Sequence, residues 1–165
     1  MNPLEWLDQK APGFQHLSQP EKNALMHFAL LWSLFEAKAL DTNANATSIL
    51  LLAHEWHASG RIDVTKFSEQ LGHFRARCFS GGQQTHHFQG LHLRNGDNPA
   101  LVRAVLSGEN TDPADSLAVL LIVVYRLRNN LFHGLKWTYE LRDQLENFSH
   151  ANSALMGALE IHGNV

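Results

Sequence analysis

Residues 112–134, DPADSLAVLLIVVYRLRNNLFHG, give the clearest indication of how this chain folds. An Asp-Pro pair opens the stretch, which is typical of a helix start because aspartate caps free backbone amides and proline fits the first helical position. Every side chain between residues 117 and 124 is apolar, so this helix has no polar face to turn toward water. We therefore predict a central helix over about residues 113–133, surrounded by other helices and ended by Gly134.

Helical periodicity recurs along most of the 165 residues. Ser18 and Glu21 form a capping-box pattern, after which apolar residues follow at steps of three and four to about residue 40. Similar signals predict further helices over about residues 47–60, 64–79 (capped by Asp63), 99–106 and 137–161. Residues from about 80 to 98 show no period and are predicted to be loop or irregular turns, and no segment alternates like a strand. The prediction is an all-α, up-and-down helical bundle of four to five main helices, forming a single domain over residues 1–165.

The charge balance gives no global reason to expect a nucleic acid as partner. The chain has 13 Lys and Arg against 16 Asp and Glu, a formal charge of -3, whereas proteins that bind polyanions broadly carry a basic excess. Cys78 is the single cysteine, which excludes an internal disulfide and any Cys-x-x-Cys zinc or dithiol site. We expect its thiol to face the core and to be inert.

The first residues of the chain do not resemble a signal peptide. They include two acids, Glu5 and Asp8, and lack a basic segment followed by an apolar one. The longest apolar run, residues 117–125, is far shorter than the roughly 20 residues that span a bilayer. We therefore expect a cytoplasmic protein without membrane contact.

Eleven histidines raise the question of a metal site. His54 and His57 lie three residues apart on a predicted helix, where both could face one ion. No acidic residue stands at a spacing that completes this set, although His86, His87 and His92 in the predicted loop could add ligands. Motifs for phosphate loops, dinucleotide binding and the hydrolase elbow are missing from the sequence. We expect neither metal nor cofactor, and a small helical metal-binding protein is kept as a third alternative.

A polar cluster ends the predicted central helix and consists of Arg126, Arg128, Asn129, Asn130 and His133. Guanidinium groups bring fixed positive charge and planar forks that suit phosphate oxygens. An imidazole titrates near neutral pH and can move a proton, and the asparagines can orient a phosphate or the imidazole. Together these groups suit metal-free cleavage of RNA, in which the 2′-hydroxyl attacks the phosphate and leaves a 2′,3′-cyclic phosphate and a 5′-hydroxyl.

Helix geometry complicates this cluster. Arg126, Asn129 and His133 share one face, whereas Arg128 and His133 are five residues apart, or about 140° around the axis. Arg128 and His133 converge only if the helix ends near Leu131 or if a second chain completes the site. The competing interpretation is structural, since cationic side chains stabilise the negative end of a helix dipole ahead of a glycine cap.

The segment Arg128-Asn129-Asn130-Leu131-Phe132-His133 resembles the R-x4-6-H motif of HEPN domains, including the polar residue directly after the arginine. HEPN domains are all-α bundles of about this size, and many are metal-independent ribonucleases of toxin–antitoxin, CRISPR and antiphage systems. The resemblance implies that Arg128 and His133 are catalytic, that Asn129 assists, and that the arginine and histidine meet across a homodimer groove. It makes RNA the substrate and an antitoxin or another defence protein a candidate partner. Arg126 and Asn130 are further candidates for substrate binding.

One position departs from the family pattern. HEPN toxins paired with a minimal nucleotidyltransferase often extend the motif to R-x4-H-x-Y, but Leu135 stands at the tyrosine position and Tyr139 comes four residues later. This puts in doubt an antitoxin that silences the protein by modifying such a tyrosine. Some HEPN members have lost catalysis, so a catalytically inactive module for RNA binding, dimerisation or assembly is the alternative function.

The segment from Gln70 to Gly96 holds no acidic residue but carries Arg75, Arg77 and Arg94 among histidines and phenylalanines. Basic and aromatic side chains interleaved in this way can follow a phosphate backbone and stack on bases. Arg75 and Arg77 are therefore candidates for substrate binding. The alternative is a surface loop whose phenylalanines only anchor it to the bundle.

Overall fold

The computed structural model describes residues 2–134, 141 and 144–163 and is helical over most of them. In chain order its helices are α1 (Pro3–Lys10), α2 (Gln19–Ala39), α3 (Ala46–Ala58), α4 (Ser68–Cys78), α5 (His86–Gln89), α6 (Pro99–Ser107), α7 (Pro113–Phe132) and α8 (Leu145–His162). Short 3-10 turns cover Phe14–His16, Val64–Phe67 and Asn95–Asp97, and the strands β1 (Phe79–Ser80) and β2 (Gln83–Gln84) form a hairpin. The predicted helical class is confirmed, with this hairpin as the exception among the described residues.

The predicted caps of α2 and α7 are present. At the start of α7, the Asp112 carboxylate accepts a hydrogen bond from the Asp115 backbone amide at 3.0 Å. At the start of α2, Ser18 and Glu21 exchange the two hydrogen bonds of a capping box. After α7, Gly134 has a φ of +77°, a left-handed conformation that glycine adopts without strain.

α7 is the centre of the fold. Its residues from Leu117 to Val124 are each no more than 1% exposed, as their apolar sequence predicts. Helices α3, α4, α6 and α8 pack around it, and α2 packs mainly against α8. Burial of one such leucine or valine side chain contributes about 1.5–3 kcal/mol, so α7 supplies a large share of the stabilising free energy. Neither α7 nor any other helix among the described residues is long and apolar enough to cross a membrane.

The sequence patterns do not predict α1, which is capped by Asn2. The Asn2 side chain accepts hydrogen bonds from the backbone amides of Leu4 and Glu5, and the Glu5 carboxylate accepts one from the Asn2 amide. No residue of α1 is fully buried, and its eight residues place only Leu4 and Leu7 against a small hydrophobic cluster, which is too short a pattern for periodicity to stand out. Its capping box is the local signal that could have revealed it.

The hairpin and the short helix α5 lie within the segment that was predicted to be loop. The two strands have two residues each, too few for period-two alternation to show. Gly81 and Gly82 connect them with φ angles of +58° and +77°, which is the conformation that a two-residue hairpin turn requires. The Gly-Gly pair is therefore the sequence feature that indicates this hairpin, whereas periodicity does not reveal it.

Two other helices start later than predicted. Asp63 acts as a cap, but the turn it opens is 3-10, and α4 begins only at Ser68. The last helix was expected over about residues 137–161, whereas α8 begins at Leu145 and ends at His162. Residues 137–140 and 142–143 lie outside the described part of the chain, but Leu141 and Gln144 are described and are not helical.

Gly157 in α8 yields a stability prediction that helix propensity alone would get wrong. A Cβ at this position would lie 2.9 Å from Cε1 of the buried Phe67 ring. Gly157→Ala is therefore expected to destabilise the protein by about 1–3 kcal/mol through overpacking. The matched control is Gly72→Ala in α4, where a Cβ meets nothing within 4 Å. Because alanine favours the helix more than glycine does, this control should stabilise the protein by as much as about 1 kcal/mol. Urea unfolding followed by circular dichroism measures both variants, and a stabilised Gly157→Ala would contradict the contact between α8 and Phe67.

Candidate functional site

Arg126 lies inside the protein, with 2% of its surface exposed. Its Nε donates a hydrogen bond to the Leu91 carbonyl at 3.1 Å, and its Nη1 lies 3.4 Å from a carboxylate oxygen of Asp97. Burial lowers the pKa of Arg126, and the Asp97 carboxylate opposes that shift. This arginine, a candidate phosphate ligand in the sequence, is thus engaged in an internal ion pair and out of contact with solvent.

Asn130, one helical turn beyond Arg126, binds the same segment. Its Nδ2 donates to the carbonyls of Gly90 and Leu91 at 3.2 and 3.3 Å. His92, which follows Leu91, has a φ of +51°, a backbone conformation that residues other than glycine seldom adopt. Two side chains of α7 therefore hold the connection between α5 and α6 against the core, and Asn130 is buried there rather than open to a substrate.

Arg128 is partly open to solvent, with 31% of its side chain exposed. Its Nη1 donates to Oδ1 of the buried Asn129 at 3.0 Å, and its Nη2 lies 3.9 Å from a carboxylate oxygen of Glu36 on α2. The guanidinium also lies over the Phe132 ring, 5.4 Å from the ring centroid. These contacts restrain the guanidinium of a side chain that is partly exposed, as the side chain of a ligand for an external phosphate has to be.

Glu36 is a member of this cluster that sequence analysis missed. Its Oε2, the atom nearest Arg128, also accepts a hydrogen bond from Trp32 Nε1 at 2.9 Å. The Trp32 ring in turn contacts Tyr125 of α7, with 5.9 Å between the ring centroids. An acidic residue one turn after a tryptophan on the apolar stripe of α2 is the signal that could have identified it.

His133 caps the C-terminus of α7 and has an exposed side chain. Its backbone amide donates to the Asn129 carbonyl at 2.9 Å, and the helix continues through Phe132 rather than ending near Leu131. No hydrogen bond among the described residues joins the side chains of Arg128 and His133. One chain therefore presents the two groups on different sides of the same helix end.

Arg75 and Arg77 lie on α4 and are both half-buried. Nε of Arg75 donates to the Val105 carbonyl at 3.0 Å, near the end of α6. Arg77 lines a pocket of about 110 Å³ together with His86, His87 and Asn147. Arg75 is thus hydrogen-bonded to the end of α6, and Arg77 lies at the wall of the pocket.

The phenylalanines interleaved with these arginines face inward. Phe74 is buried, and the rings of Phe79 and Phe88 meet edge to face with 5.6 Å between their centroids. Both rings also pack against the main hydrophobic core. This placement favours the anchoring role over base stacking for these three side chains.

The remaining sequence candidates are a histidine pair and a thiol. His54 Nε2 lies 3.0 Å from a carboxylate oxygen of Asp115, and among the described residues neither His54 nor His57 belongs to a group of three metal-capable side chains. Cys78 is buried, and burial raises the pKa of its thiol to about 11. The thiol is therefore protonated at neutral pH, which agrees with the expectation of an inert, core-facing cysteine.

Comparisons of the chain with protein-family models, with curated proteins and with solved structures found no match. The resemblance to HEPN domains therefore rests on residues 128–133 and on the helical class.

The different surroundings of the two arginines predict different effects on stability. Arg126→Ala leaves the buried Asp97 carboxylate without its partner, so a loss of about 3–5 kcal/mol in the free energy of unfolding is expected. Arg128→Ala removes a partly exposed, long ion pair and the hydrogen bond to Asn129, so a smaller loss of about 1–2 kcal/mol is expected. Chemical denaturation of both variants checks this, and equal losses would contradict the division into a buried and an accessible arginine.

Proposed function

We propose that the protein is a metal-independent endoribonuclease of HEPN type that acts as a cytoplasmic homodimer. The observation that carries the proposal is the state of Arg128, whose guanidinium is held by Asn129 and Glu36 while its side chain as a whole remains 31% exposed. It lies at the end of a buried helix whose cap is the exposed His133. A positioned cation and a titratable imidazole are the groups that cleavage of a phosphodiester needs.

In the proposed reaction, the 2′-hydroxyl of the RNA attacks the adjacent phosphorus. His133 takes the hydroxyl proton as the bond between the 2′ oxygen and phosphorus forms. Arg128 donates hydrogen bonds to the phosphorane oxygens and stabilises the negative charge that builds up there. The bond from phosphorus to the 5′ oxygen then breaks, and that oxygen takes a proton from solvent. Because Arg128 supplies the charge and His133 the proton transfer, the scheme needs no metal.

The other residues of the cluster have supporting roles in this scheme. Asn129 is a positioning residue, since its Oδ1 holds Nη1 of Arg128. Arg126 and Asn130 keep the helix end rigid by binding the segment at Leu91 from within. Glu36 restrains the Arg128 guanidinium and competes with a phosphate for it. Arg75 and Arg77 stay candidates for contacts with RNA beyond the cleaved phosphate.

A second copy of the chain is the proposed means of bringing Arg128 and His133 together. If two ends of α7 face each other across a twofold axis, Arg128 of one copy can meet His133 of the other. Apolar side chains are exposed at this helix end and on α2: Phe132 is 56% exposed, and Met26 and Leu30 are 41% and 72% exposed. Phe132 and Met26 line one groove of about 330 Å³, and exposed apolar patches of this kind support association.

A toxin–antitoxin or antiphage system is the proposed setting, with an antitoxin or another defence protein as partner. The motif departure at Leu135 and Tyr139 lies outside the described residues. The alternative function is a catalytically inactive HEPN module that binds RNA or assembles with partners through the same surface. The two functions differ in whether RNA is cut.

Purified protein is expected to cut single-stranded RNA in the presence of EDTA and to leave 2′,3′-cyclic phosphate ends. Arg128→Ala and His133→Ala should each slow cleavage by about 100-fold or more, because a positioned proton-transfer group alone contributes about 10²- to 10⁴-fold. Cleavage is measured on denaturing gels, and the ends are identified by their resistance to phosphatase before acid treatment.

The matched controls are Arg103→Ala and His57→Ala, which remove the same side-chain types from exposed positions on α6 and α3. Both controls should cut RNA at the wild-type rate. Protein that binds RNA tightly and leaves it intact would favour the inactive module, and equal losses in variants and controls would remove Arg128 and His133 from the site.

Complementation between two inactive variants tests the shared site. If Arg128 and His133 meet across a dimer, a heterodimer of Arg128→Ala and His133→Ala chains contains one intact pair. Random pairing makes about half of the dimers mixed, each with one of two sites intact, so about a quarter of wild-type activity should return. The assay uses chains co-expressed with different tags, and each variant alone is the control. Activity no higher than that of the single variants would place both groups of a site in one chain.

A further inference from the structure

His73 on α4 and Glu146 and His150 on α8 form a compact group of metal-capable side chains. One donor atom of each residue lies within 4.8 Å of the donors of the other two, and no other such group occurs among the described residues. Sequence spacing does not reveal this group, because α4 and α8 are far apart along the chain and meet only by packing.

The two helices present these side chains at one place. Glu146 and His150 are four residues apart, so they lie on the same face of α8. The His73 ring stacks on the His150 ring, with 4.2 Å between centroids and 20° between planes. Both histidines are half-buried and Glu146 is exposed, so the group lies at the solvent edge of the contact between α4 and α8.

Asn147 forms a hydrogen bond with the His73 ring. The Asn147 side chain is buried, and its Nδ2 donates to Oε1 of Gln144 at 3.0 Å. Its Oδ1 faces Nε2 of His73, 2.9 Å away, and accepts a hydrogen bond when that nitrogen carries the proton. In that tautomer Nδ1 of His73 offers a lone pair, and an imidazole whose other nitrogen donates to an oxygen is the usual state of a metal-bound histidine.

His150 is held less firmly than His73. No hydrogen bond among the described residues binds its ring, and the terminal torsion of histidine is broad. Burial, followed by the nearby His73, lowers the pKa of His150, whereas Glu69 on α4 and Glu146 act in the opposite direction.

We propose that His73, Glu146 and His150 bind one Zn²⁺ ion between α4 and α8. Two imidazole nitrogens and one carboxylate oxygen form a donor set that zinc uses in sites with a fourth position left for water. Donors of a tetrahedral site with bonds of about 2.1 Å lie roughly 3.4 Å apart, whereas these three lie within 4.8 Å of one another, so zinc binding draws them closer together. The nearly parallel rings cannot both aim an in-plane lone pair at one ion, so His150 rotates while Asn147 keeps His73 in place.

The site shares no residue with the pair Arg128 and His133. The zinc ion would join α4 to α8, and EDTA would remove it without taking a group from the proposed ribonuclease reaction. Zinc binding and RNA cleavage can therefore succeed or fail independently.

Isothermal titration calorimetry of the full chain tests the site after dialysis against a chelator. Zinc chloride added near neutral pH should bind at one equivalent per chain. Glu146→Gln and His150→Gln each remove one donor and should weaken the affinity by about 10-fold or more, since even residues that only orient a ligand contribute about 10- to 100-fold. Asn147→Leu should weaken it within that range, and Asn147→Asp, which keeps an acceptor for His73 Nε2, should retain binding.

His57→Gln and His86→Gln are the matched controls, because they remove exposed histidines outside the group. Their zinc affinity should equal that of the wild-type chain. Circular dichroism checks that each variant is folded. Glu146→Gln is the most informative variant, because Glu146 is exposed and its replacement is not expected to disturb the fold. Absence of zinc binding, binding unchanged in Glu146→Gln and His150→Gln, or an equal loss in the control variants would overturn the proposal.

Discussion

Arg126 is buried because it belongs to a helix that other elements enclose, and a guanidinium in that position needs partners within the protein. It has them in the Leu91 carbonyl and the Asp97 carboxylate. Asn130 adds hydrogen bonds to the Gly90 and Leu91 carbonyls. These contacts hold the connection between α5 and α6 against α7. The last turns of the central helix are thus stabilised by polar contacts, in addition to the apolar packing of its earlier turns.

The position of each polar residue around α7 then decides its role. Arg126 and Asn130 are one turn apart and bind the same connection, whereas Arg128 is about 200° from Arg126 and approaches Glu36 on α2. His133 follows the last helical residue and is exposed. A rigid helix end thus carries one restrained, accessible cation and one accessible imidazole, and this is the basis of the proposed ribonuclease chemistry.

Much of the fold was predictable because its signals are local. The caps at Ser18 and Asp112 need only neighbouring residues, and the apolar run of α7 implies enclosure whatever the partners are. The hairpin at Gly81 and the helix α1 were not predicted, because two-residue strands and an eight-residue helix with only two half-buried leucines are too short to show a clear period. In the candidate site, the sequence identifies the polar cluster. It does not show which of the two arginines, Arg126 or Arg128, is buried and which is partly exposed, because the two residues have the same side chain.

Periodicity, capping and residue type act within a few turns of chain, and they are enough to predict a helical chain, a central α7 and a cluster of arginine, asparagine and histidine at its end. The pairing of Arg126 with Asp97, the approach of Glu36 to Arg128 and the contact of His73 with His150 follow instead from the packing of the folded chain. Each of these contacts joins residues from different elements. Their partners follow from which helix faces pack together, and that depends on the burial of the whole apolar surface rather than on any local pattern.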